Sequence, residues 1–187
     1  MRLLLIRHGH TAAIVAENPD PPLTGQGEQQ AAKLGAWLLE RYSANRLFTS
    51  PLRRAYQTAT IIGAYVGIQP EVEHGLSEAD FGMAAHLPQG TIFSPQMQKV
   101  EQRSSGAFYR EYQDLVKRSL EHIMFSCKQH DTILVVAHAG TIGTALRCLL
   151  ESQIISVRTD FTAQHELIWR SGRWFVLAMN RREHLLE

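Results

Sequence analysis

The stretch Arg-Leu-Leu-Leu-Ile-Arg-His-Gly at positions 2–9 decides the fold class. Its four consecutive aliphatic residues are typical of a short strand that is buried on both faces of a parallel sheet. A second aliphatic run, at positions 133–137, leads to His138, as the first leads to His8. Because the carboxyl ends of parallel strands meet at one edge of an open α/β sheet, both histidines are predicted to lie at its ligand-binding edge.

Strands and helices alternate along the rest of the chain, which predicts a three-layer α/β/α sandwich with a mainly parallel central sheet. The predicted strands lie at 2–7, 46–49, 70–74 and 132–137, the helices at 24–42, 51–66, 107–126 and 140–150, and a hairpin at 161–169 and 173–179. Ser50 and Pro51 are the predicted N-cap and first residue of the second helix. A chain of 187 residues fits one domain. Residues 83–106 lack a sustained hydrophobic period and are predicted to be a lid or a substrate-specificity insertion.

The composition excludes several classes of function. A formal net charge of +1 gives no basic field of the kind that nucleic-acid-binding proteins carry. Hydrophobic residues make up 44% and charged residues 20% of the chain, and no apolar run approaches the length that spans a membrane. Cys127 and Cys148 form neither a disulfide framework nor a Cys-x-x-Cys pair. We therefore expect a cytoplasmic protein whose partner is neither a nucleic acid nor a membrane.

The residues around His8 suggest phosphate chemistry. A neutral imidazole is a competent nucleophile toward phosphorus, provided that a cationic group holds the phosphoryl oxygens. Arg53 is the predicted source of that charge, because a cation in the first turn of a helix opposes the helix dipole by roughly 0.3–1 kcal/mol and a bound anion reverses this penalty. Its neighbour Arg54 is predicted to extend into solvent.

The other candidates supply a second phosphate ligand and an acid. His138 precedes a predicted helix whose free N–H groups point beyond the sheet edge. Glu78 and Asp80 are the candidate acids, since a desolvated carboxyl with a raised pKa can protonate a leaving oxygen. The residue pattern alone does not choose between them.

A metal site is the alternative for the same region. However, Arg7 and Arg53 would repel a divalent cation, so we expect no metal. The candidate ligands of such a site are His8, His10, Asp20 and His138. The remaining histidines are mostly predicted at the surface; they lie at positions 74, 86, 122, 130, 165 and 184.

Five ordered motifs together resemble those of the histidine phosphatase superfamily, the phosphoglycerate-mutase-like proteins. Residues 7–11 look like its Arg-His-Gly-x-Thr signature, and residues 20–27 resemble Asp-x-Pro-Leu-Thr-x-x-Gly. The remaining three are the Ser-Pro-Leu-Arg-Arg-Ala-Tyr-Gln-Thr-Ala segment at 50–59, the acid-bearing Leu-Ser-Glu-Ala-Asp-Phe-Gly at 76–82 and the Val-Ala-His-Ala-Gly at 136–140.

The resemblance implies a phosphoglycerate-mutase-like fold and hydrolysis of a small phosphorylated metabolite through a phosphohistidine on His8. It implies that Arg7, Arg53 and His138 hold the phosphoryl group and that Glu78, rather than Asp80, is the acid. It also implies that neither a metal nor an organic cofactor takes part. The further residues implied in phosphate or substrate binding are Gly9, Thr11, Thr24, Gly25 and Ala139.

Departures from the family pattern concern the outer substrate wall. Residues 83–86 replace the frequent x-Trp-Glu-Gly, Ile14 replaces a frequent Asn, and Ala137 and Ala139 flank the second histidine where Ser and Gly are usual. Two alternative functions stay open at this point: a phosphoglycerate-type mutase, and a non-catalytic module that binds a phosphorylated ligand. The oligomeric state is also open, with a homodimer among the alternatives.

Overall fold

The computed structural model describes residues 1–13, 18, 20–79 and 107–186. Each predicted strand and helix within these ranges is present, with shifts at some ends. The strands are β1 (Arg2–Arg7), β2 (Arg46–Thr49), β3 (Glu71–Val72), β4 (Thr132–Ala137), β5 (Gln164–Arg170) and β6 (Arg173–Arg181). The helices are α1 (Gly25–Arg41), α2 (Arg53–Val66), α3 (Ala107–Phe125) and α4 (Ala139–Leu149), with 3₁₀ turns at His74–Leu76 and Glu183–Leu185.

The sheet has six strands in the order β3-β2-β4-β1-β5-β6. The first four are parallel to one another, β5 pairs antiparallel with β1, and β6 pairs antiparallel with β5. Arg7, the last residue of β1, lies opposite Ala137, the last residue of β4. His8 and His138 therefore follow adjacent parallel strands at the same edge, as predicted.

Two hydrophobic clusters cover the two faces of the sheet and establish the three layers. Leu3 and Leu5 pack with residues of α3 and α4, whereas Leu4 and Ile6 pack with residues of α1 and α2. All four side chains are at most 1% exposed. This alternation explains why β1 is aliphatic on both faces, and it confirms the predicted α/β/α sandwich.

The start of α2 differs from the prediction. The helix begins at Arg53 rather than Pro51, and its N-cap residue Leu52 has no side-chain cap. The carboxylate of Asp20 accepts the Arg53 N–H instead, at 2.8 Å for Oδ2. Ser50, the predicted cap, accepts the N–H of Leu52 at 3.2 Å and contacts His138. The carboxylate of Asp20, which is distant in sequence, thus caps the helix in place of Ser50, and the helix begins at Arg53.

Two other segments bear on the predictions. β3 is only two residues long, because the 3₁₀ turn that follows it is capped by the side chain of Glu73, which accepts from the N–H of Gly75. The predicted lid at 83–106 lies outside the described residues and stays a prediction.

Among the helices that the structure describes, none combines the length and apolar character needed to cross a membrane.

Candidate active site

His8 lies just beyond the end of β1 and is buried, with 4% of its surface exposed. Its Nδ1 lies 2.8 Å from the carbonyl oxygen of Gly9. Since a carbonyl only accepts, Nδ1 carries the hydrogen and Nε2 keeps its lone pair. Burial first, and then the charges of Arg7 and Arg54, lower the pKa of His8 to about 3. His8 is therefore a neutral imidazole with Nε2 available to a ligand.

His138 faces His8 from the end of β4. The centroids of the two rings are 5.1 Å apart, and His138 is fully buried. Its Nε2 lies 2.8 Å from Ser50 Oγ, while its Nδ1 is buried without a hydrogen-bond partner among the described residues. Burial first, then the neighbouring charges, holds the pKa of His138 well below its usual range. The prediction that the two strands deliver both histidines to one place is confirmed.

The arginine of α2 whose side chain enters this region is Arg54. The sequence-based prediction was the reverse, with Arg53 in the site and Arg54 in solvent. Arg54 is 2% exposed, and its Nη1 donates to Asp20 Oδ1 at 3.1 Å. The side chain of Arg53 is exposed, and the hydrogen bonds described for Arg53 are made by its backbone N–H to Asp20. Consecutive helical residues point about 100° apart, so the anchoring of the helix start by Asp20 turns Arg54 inward and Arg53 outward.

Arg7 approaches the two histidines from β1. Its Nη1 donates to the carbonyl oxygen of Thr159 at 2.7 Å, and its guanidinium lies over the ring of Phe161, 4.1 Å from the centroid. Burial lowers the pKa of Arg7, while the carboxylates of Glu78 and Asp160 oppose that shift. Because a guanidinium ordinarily titrates far above neutral pH, the side chain stays charged despite this lowering. Arg7 thus brings a fixed positive charge next to His8.

Glu78 completes a group that we call the central cluster: Arg7, His8, Arg54, Glu78 and His138. Its Oε2 accepts the N–H of Gly140 in the first turn of α4 at 3.2 Å, and its Oε1 accepts the N–H of Ala79 at 3.3 Å. Burial raises the pKa of Glu78, against the opposing effects of these N–H groups and of both arginines. Burial therefore favours the protonated form of this carboxyl, which can donate a proton to a leaving oxygen. Asp80, the competing candidate, lies outside the described residues.

The predicted substrate-binding residues at the first loop have clear structural partners. Thr24 is the N-cap of α1, and its hydroxyl also lies 2.9 Å from Nδ1 of His10. Gly9 meets the first turn of α1 closely, since a Cβ added there would lie 2.5 Å from the carbonyl oxygen of Gly27. Its lack of a side chain is therefore explained by packing of the backbone, and its role toward a substrate stays a prediction.

The other predicted binding residues lie around this loop and at the start of α4. Thr11 is buried and donates to the carbonyl oxygen of Ala12 at 2.9 Å. Gly25 is the exposed first residue of α1, and Ala139 is the half-buried first residue of α4, directly after His138. Their contacts with a ligand stay predictions.

The central cluster holds buried polar atoms that lack partners among the described residues: Arg7 Nε, Arg54 Nε and His138 Nδ1. Buried donors are almost always paired in folded proteins. The guanidinium groups of Arg7 and Arg54 and the N-terminus of α4 meet at the central cluster. Guanidinium groups and helix N-termini alike favour an anion with several acceptor oxygens. The cluster is suited to bind a phosphoryl group.

Two of the candidate metal ligands, His10 and Asp20, are engaged elsewhere. Nδ1 of His10 contacts Thr24, and the carboxylate of Asp20 binds the start of α2 and Arg54. Within 1–13, 18, 20–79 and 107–186 there is no group of three or more His, Cys, Asp or Glu side chains that could hold a metal ion.

Sequence reasoning missed several residues of the site. Ser50 contacts His138, Phe161 contacts Arg7 and His8, and Asp20 binds Arg54. Ser50 and Asp20 stand inside the quoted motifs, so their positions gave a signal. Phe161 stands in no motif and comes from the loop before β5.

Two histidines predicted at the surface are buried instead: His165 in β5 and His184 in the C-terminal 3₁₀ turn. Burial lowers the pKa of each to about 4. With His8 and His138, four histidines are then neutral in the folded state and titrate near 6.5 when unfolded.

The free energy of unfolding is therefore expected to fall as the pH drops below about 6.5. In that range the unfolded chain binds more protons than the folded one, which costs up to about 1.4 kcal/mol per buried histidine for each pH unit. Urea unfolding at pH 7.5, 6.5 and 5.5 measures the free energy of unfolding at each pH. His184→Gln should make its fall with decreasing pH less steep. A stability that stays constant from pH 7.5 to 5.5 would contradict the assignment of neutral histidines.

Comparison with known proteins agrees with this geometry. Residues 3–182 match the family model of the histidine phosphatase superfamily, branch 1. The 5''-phosphoribostamycin phosphatase of Niallia circulans is 27% identical over 216 residues, which covers 99% of this chain and 98% of that protein.

Two solved structures share the fold. A phosphoserine phosphatase from Entamoeba histolytica, in complex with 3-phosphoglyceric acid, is 24% identical with a TM-score of 0.75 over 98% of each chain. A mycobacterial glucosyl-3-phosphoglycerate phosphatase is 21% identical with a TM-score of 0.70, over 96% of this chain and 98% of its own.

The family match spans nearly the whole chain, and the predicted phosphatase activity agrees with the name of the full-length relative. The chain therefore belongs to the histidine phosphatase superfamily, branch 1, as a phosphoric monoester hydrolase.

Proposed function

We propose that the protein hydrolyses phosphomonoesters of small metabolites through a phosphohistidine formed on His8. The observation that carries this proposal is the state of the His8 ring. Its Nδ1 is fixed by the Gly9 carbonyl, its Nε2 keeps its lone pair, and burial keeps the ring neutral with a pKa of about 3. These are the properties that a nucleophilic imidazole needs.

His138 acts in this proposal as a neutral hydrogen-bond donor to the phosphoryl group. Ser50 Oγ accepts the N–H of Leu52, and in this proposal it donates its own hydrogen to Nε2 of His138. A neutral His138 then carries its proton on Nδ1, the atom left without a protein partner. Ser50 thus selects the tautomer that offers a donor inside the central cluster.

In the first step, Nε2 of His8 attacks phosphorus, an N–P bond forms and the bond from phosphorus to the leaving oxygen breaks. Arg7, Arg54 and the Nδ1–H of His138 bind the phosphoryl oxygens and stabilise the negative charge as it moves through the transition state. Glu78, protonated, gives its proton to the leaving oxygen and becomes a carboxylate.

In the second step, the Glu78 carboxylate takes a proton from a water molecule that attacks the phosphohistidine. The N–P bond breaks, inorganic phosphate leaves and Glu78 is again protonated. One residue therefore serves as acid and then as base, which suits a carboxyl whose pKa burial raises.

The substrate class is also a proposal. Thr11, Thr24, Gly25 and Ala139 are proposed to line the path of the leaving group, because they surround the loop after β1 and the start of α4. The relative from Niallia circulans, which is named as a 5''-phosphoribostamycin phosphatase, supports a small phosphorylated metabolite. A cytoplasmic site of action is supported by the two free cysteines, since disulfides are rare in reducing compartments.

Hydrolysis of a panel of phosphomonoesters in the presence of EDTA tests the proposal. The panel contains p-nitrophenyl phosphate, phosphoserine, 3-phosphoglycerate, sugar phosphates and nucleotides. Turnover of at least one member without added metal is expected. Transfer of phosphate to a second metabolite in preference to water would indicate a mutase, and binding of phosphate with no turnover of any member would indicate a binding module.

The role of Glu78 gives a prediction that depends on the leaving group. Glu78→Gln keeps the shape but cannot donate the proton, so formation of the phosphoenzyme from an alkyl phosphate should slow by about 10²–10⁴-fold. Formation from p-nitrophenyl phosphate should slow much less, because p-nitrophenolate leaves without a proton. Rapid-quench measurements with both substrates compare the two rates. Equal slowing of both would argue against Glu78 as the acid.

A further inference from the structure

Two hydroxyl groups from two different helices hold the segment that carries Glu78. Tyr112 of α3 and Thr141 of α4 are 5% and 1% exposed, and their oxygens lie 2.9 Å apart. Tyr112 donates to the carbonyl oxygen of Ser77 at 3.1 Å. Thr141 Oγ1 lies 3.2 Å from the same carbonyl and 3.5 Å from Glu78 Oε1. A backbone carbonyl and a carboxylate oxygen therefore compete for two hydroxyl hydrogens.

Several placements of the hydrogens pair both hydroxyls and the Ser77 carbonyl, and one of them suits each ionisation state of Glu78. When Glu78 is ionised, Thr141 donates to Glu78 Oε1 and Tyr112 donates to the carbonyl of Ser77. When Glu78 is protonated, Thr141 donates to the carbonyl of Ser77 and Tyr112 donates to Thr141 Oγ1. Neither state leaves the Tyr112 hydroxyl hydrogen, the Thr141 hydroxyl hydrogen or the Ser77 carbonyl unpaired, which matters because an unsatisfied buried polar group is costly.

We propose that Tyr112 and Thr141 form a hydrogen-bond switch that follows the protonation of Glu78 and sets the balance between its acid and base forms. The inference rests on the proposed function, in which Glu78 alternates between those forms. Both are positioning residues, since they act on the substrate only through Glu78.

The other groups that face Glu78 act as a fixed background. Arg7 from β1 and Arg54 from α2 favour the carboxylate, as do the N–H groups of Gly140 and Ala79. None of these can rearrange its hydrogen when Glu78 gains a proton. Tyr112 stays protonated, because burial and the charge of Glu78 both raise its pKa. The two hydroxyls are therefore the groups near Glu78 that can follow its ionisation.

Removing the Thr141 hydroxyl tests the switch. Thr141→Val deletes the donor to ionised Glu78, so the carboxyl should keep its proton to a higher pH. We measure the rate of phosphoenzyme formation from an alkyl phosphate in single turnovers as a function of pH. The alkaline limb of this pH profile, where the rate falls as Glu78 loses its proton, should move up by about one pH unit. Thr141→Ser should restore the wild-type limb. Titration of the substrate phosphate is common to all variants and cancels in the comparison.

Tyr112→Phe provides a second test that keeps the packing of the ring. The carbonyl of Ser77 then depends on the Thr141 hydroxyl alone, which competes with donation to ionised Glu78. The alkaline limb should move in the same direction as in Thr141→Val, by a smaller amount. This variant decides the question if Thr141→Val does not fold.

Each helix supplies a matched control. Thr144 lies on α4, is fully buried, and has an Oγ1 without a partner among the described residues. Tyr109 lies one turn before Tyr112 on α3, and its hydroxyl accepts from Arg147 at 3.3 Å. Thr144→Val and Tyr109→Phe remove the same groups away from Glu78 and should leave the alkaline limb in place.

The outcomes separate this inference from the proposed function. Shifts in both Thr141→Val and Tyr112→Phe, with no shift in the two controls, support the switch. Unshifted limbs in both variants, together with loss of the limb in Glu78→Gln, overturn the switch and leave Glu78 as the acid. A limb that persists in Glu78→Gln overturns the acid assignment and the switch with it.

Discussion

Replacing His8 by alanine is expected to lower turnover of every phosphomonoester by roughly 10⁴-fold or more, because the nucleophile that accepts the phosphoryl group is gone. The remaining cluster, with two arginines and His138, should still bind inorganic phosphate. Steady-state hydrolysis measures the loss of turnover. Labelling with a radioactive phosphoryl donor measures the expected loss of the phosphohistidine. A circular dichroism spectrum equal to that of the wild type shows that the variant is folded.

His10→Ala is the matched control for this experiment. It removes an imidazole two residues further along the same loop, whose Nδ1 contacts the Thr24 hydroxyl. The His10 variant should keep the acid-labile label. Acid-labile label that persists in His8→Ala would contradict the assignment of the nucleophile.

The second large effect is expected at Arg54. Arg54→Ala removes a buried guanidinium from the central cluster, and loss of such a charged donor to a transition state typically costs about 10²–10³-fold in rate. Arg53→Ala removes an exposed side chain on the same helix, one residue earlier, and should change kcat/KM by a few-fold at most. The pair of variants compares two chemically identical changes at adjacent positions.

A lysine in place of Arg54 refines this test. Lysine keeps the charge but lacks the planar fork that grips two oxygens at once, so only part of the activity should return. Melting temperatures of all three variants separate a loss of catalysis from a loss of folding, since Arg54 also pairs with Asp20. A larger loss in Arg53→Ala than in Arg54→Ala would contradict the placement of Arg54 in the site.

The architecture could be predicted because its signals are local and repeated. The aliphatic runs that became β1 and β4 are buried on both faces, and a sheet that contains them as parallel neighbours brings His8 and His138 together. The hairpin turn was also readable, since Ser171 and Gly172 both adopt positive φ, 53° and 76°, as a two-residue turn requires.

The choice between Arg53 and Arg54 could not be made locally. Ser50 and Pro51 look like a helix start, but the residue that anchors α2 is Asp20, more than 30 positions earlier. Because each residue turns a helix by about 100°, a shift of its start or anchoring decides which arginine faces the site. That information lies in a tertiary contact.

Long-range contacts also explain the other missed residues. Tyr112 and Thr141 meet only because α3 and α4 pack against the same face of the sheet. Phe161 reaches Arg7 because β5 pairs with β1 and places its preceding loop beside the end of that strand. Neither contact has a counterpart in local spacing or periodicity.

Trapping the phosphoenzyme tests the central claim most directly. The wild-type protein is mixed with a phosphomonoester in EDTA, quenched in base within one turnover and digested, and the phosphorylated peptide is identified by mass spectrometry. We predict a single phosphate on His8 that is stable in base and lost in acid, and none in His8→Ala. Phosphate on another residue, or turnover with no trapped phosphoenzyme and a requirement for a divalent cation, would contradict the account.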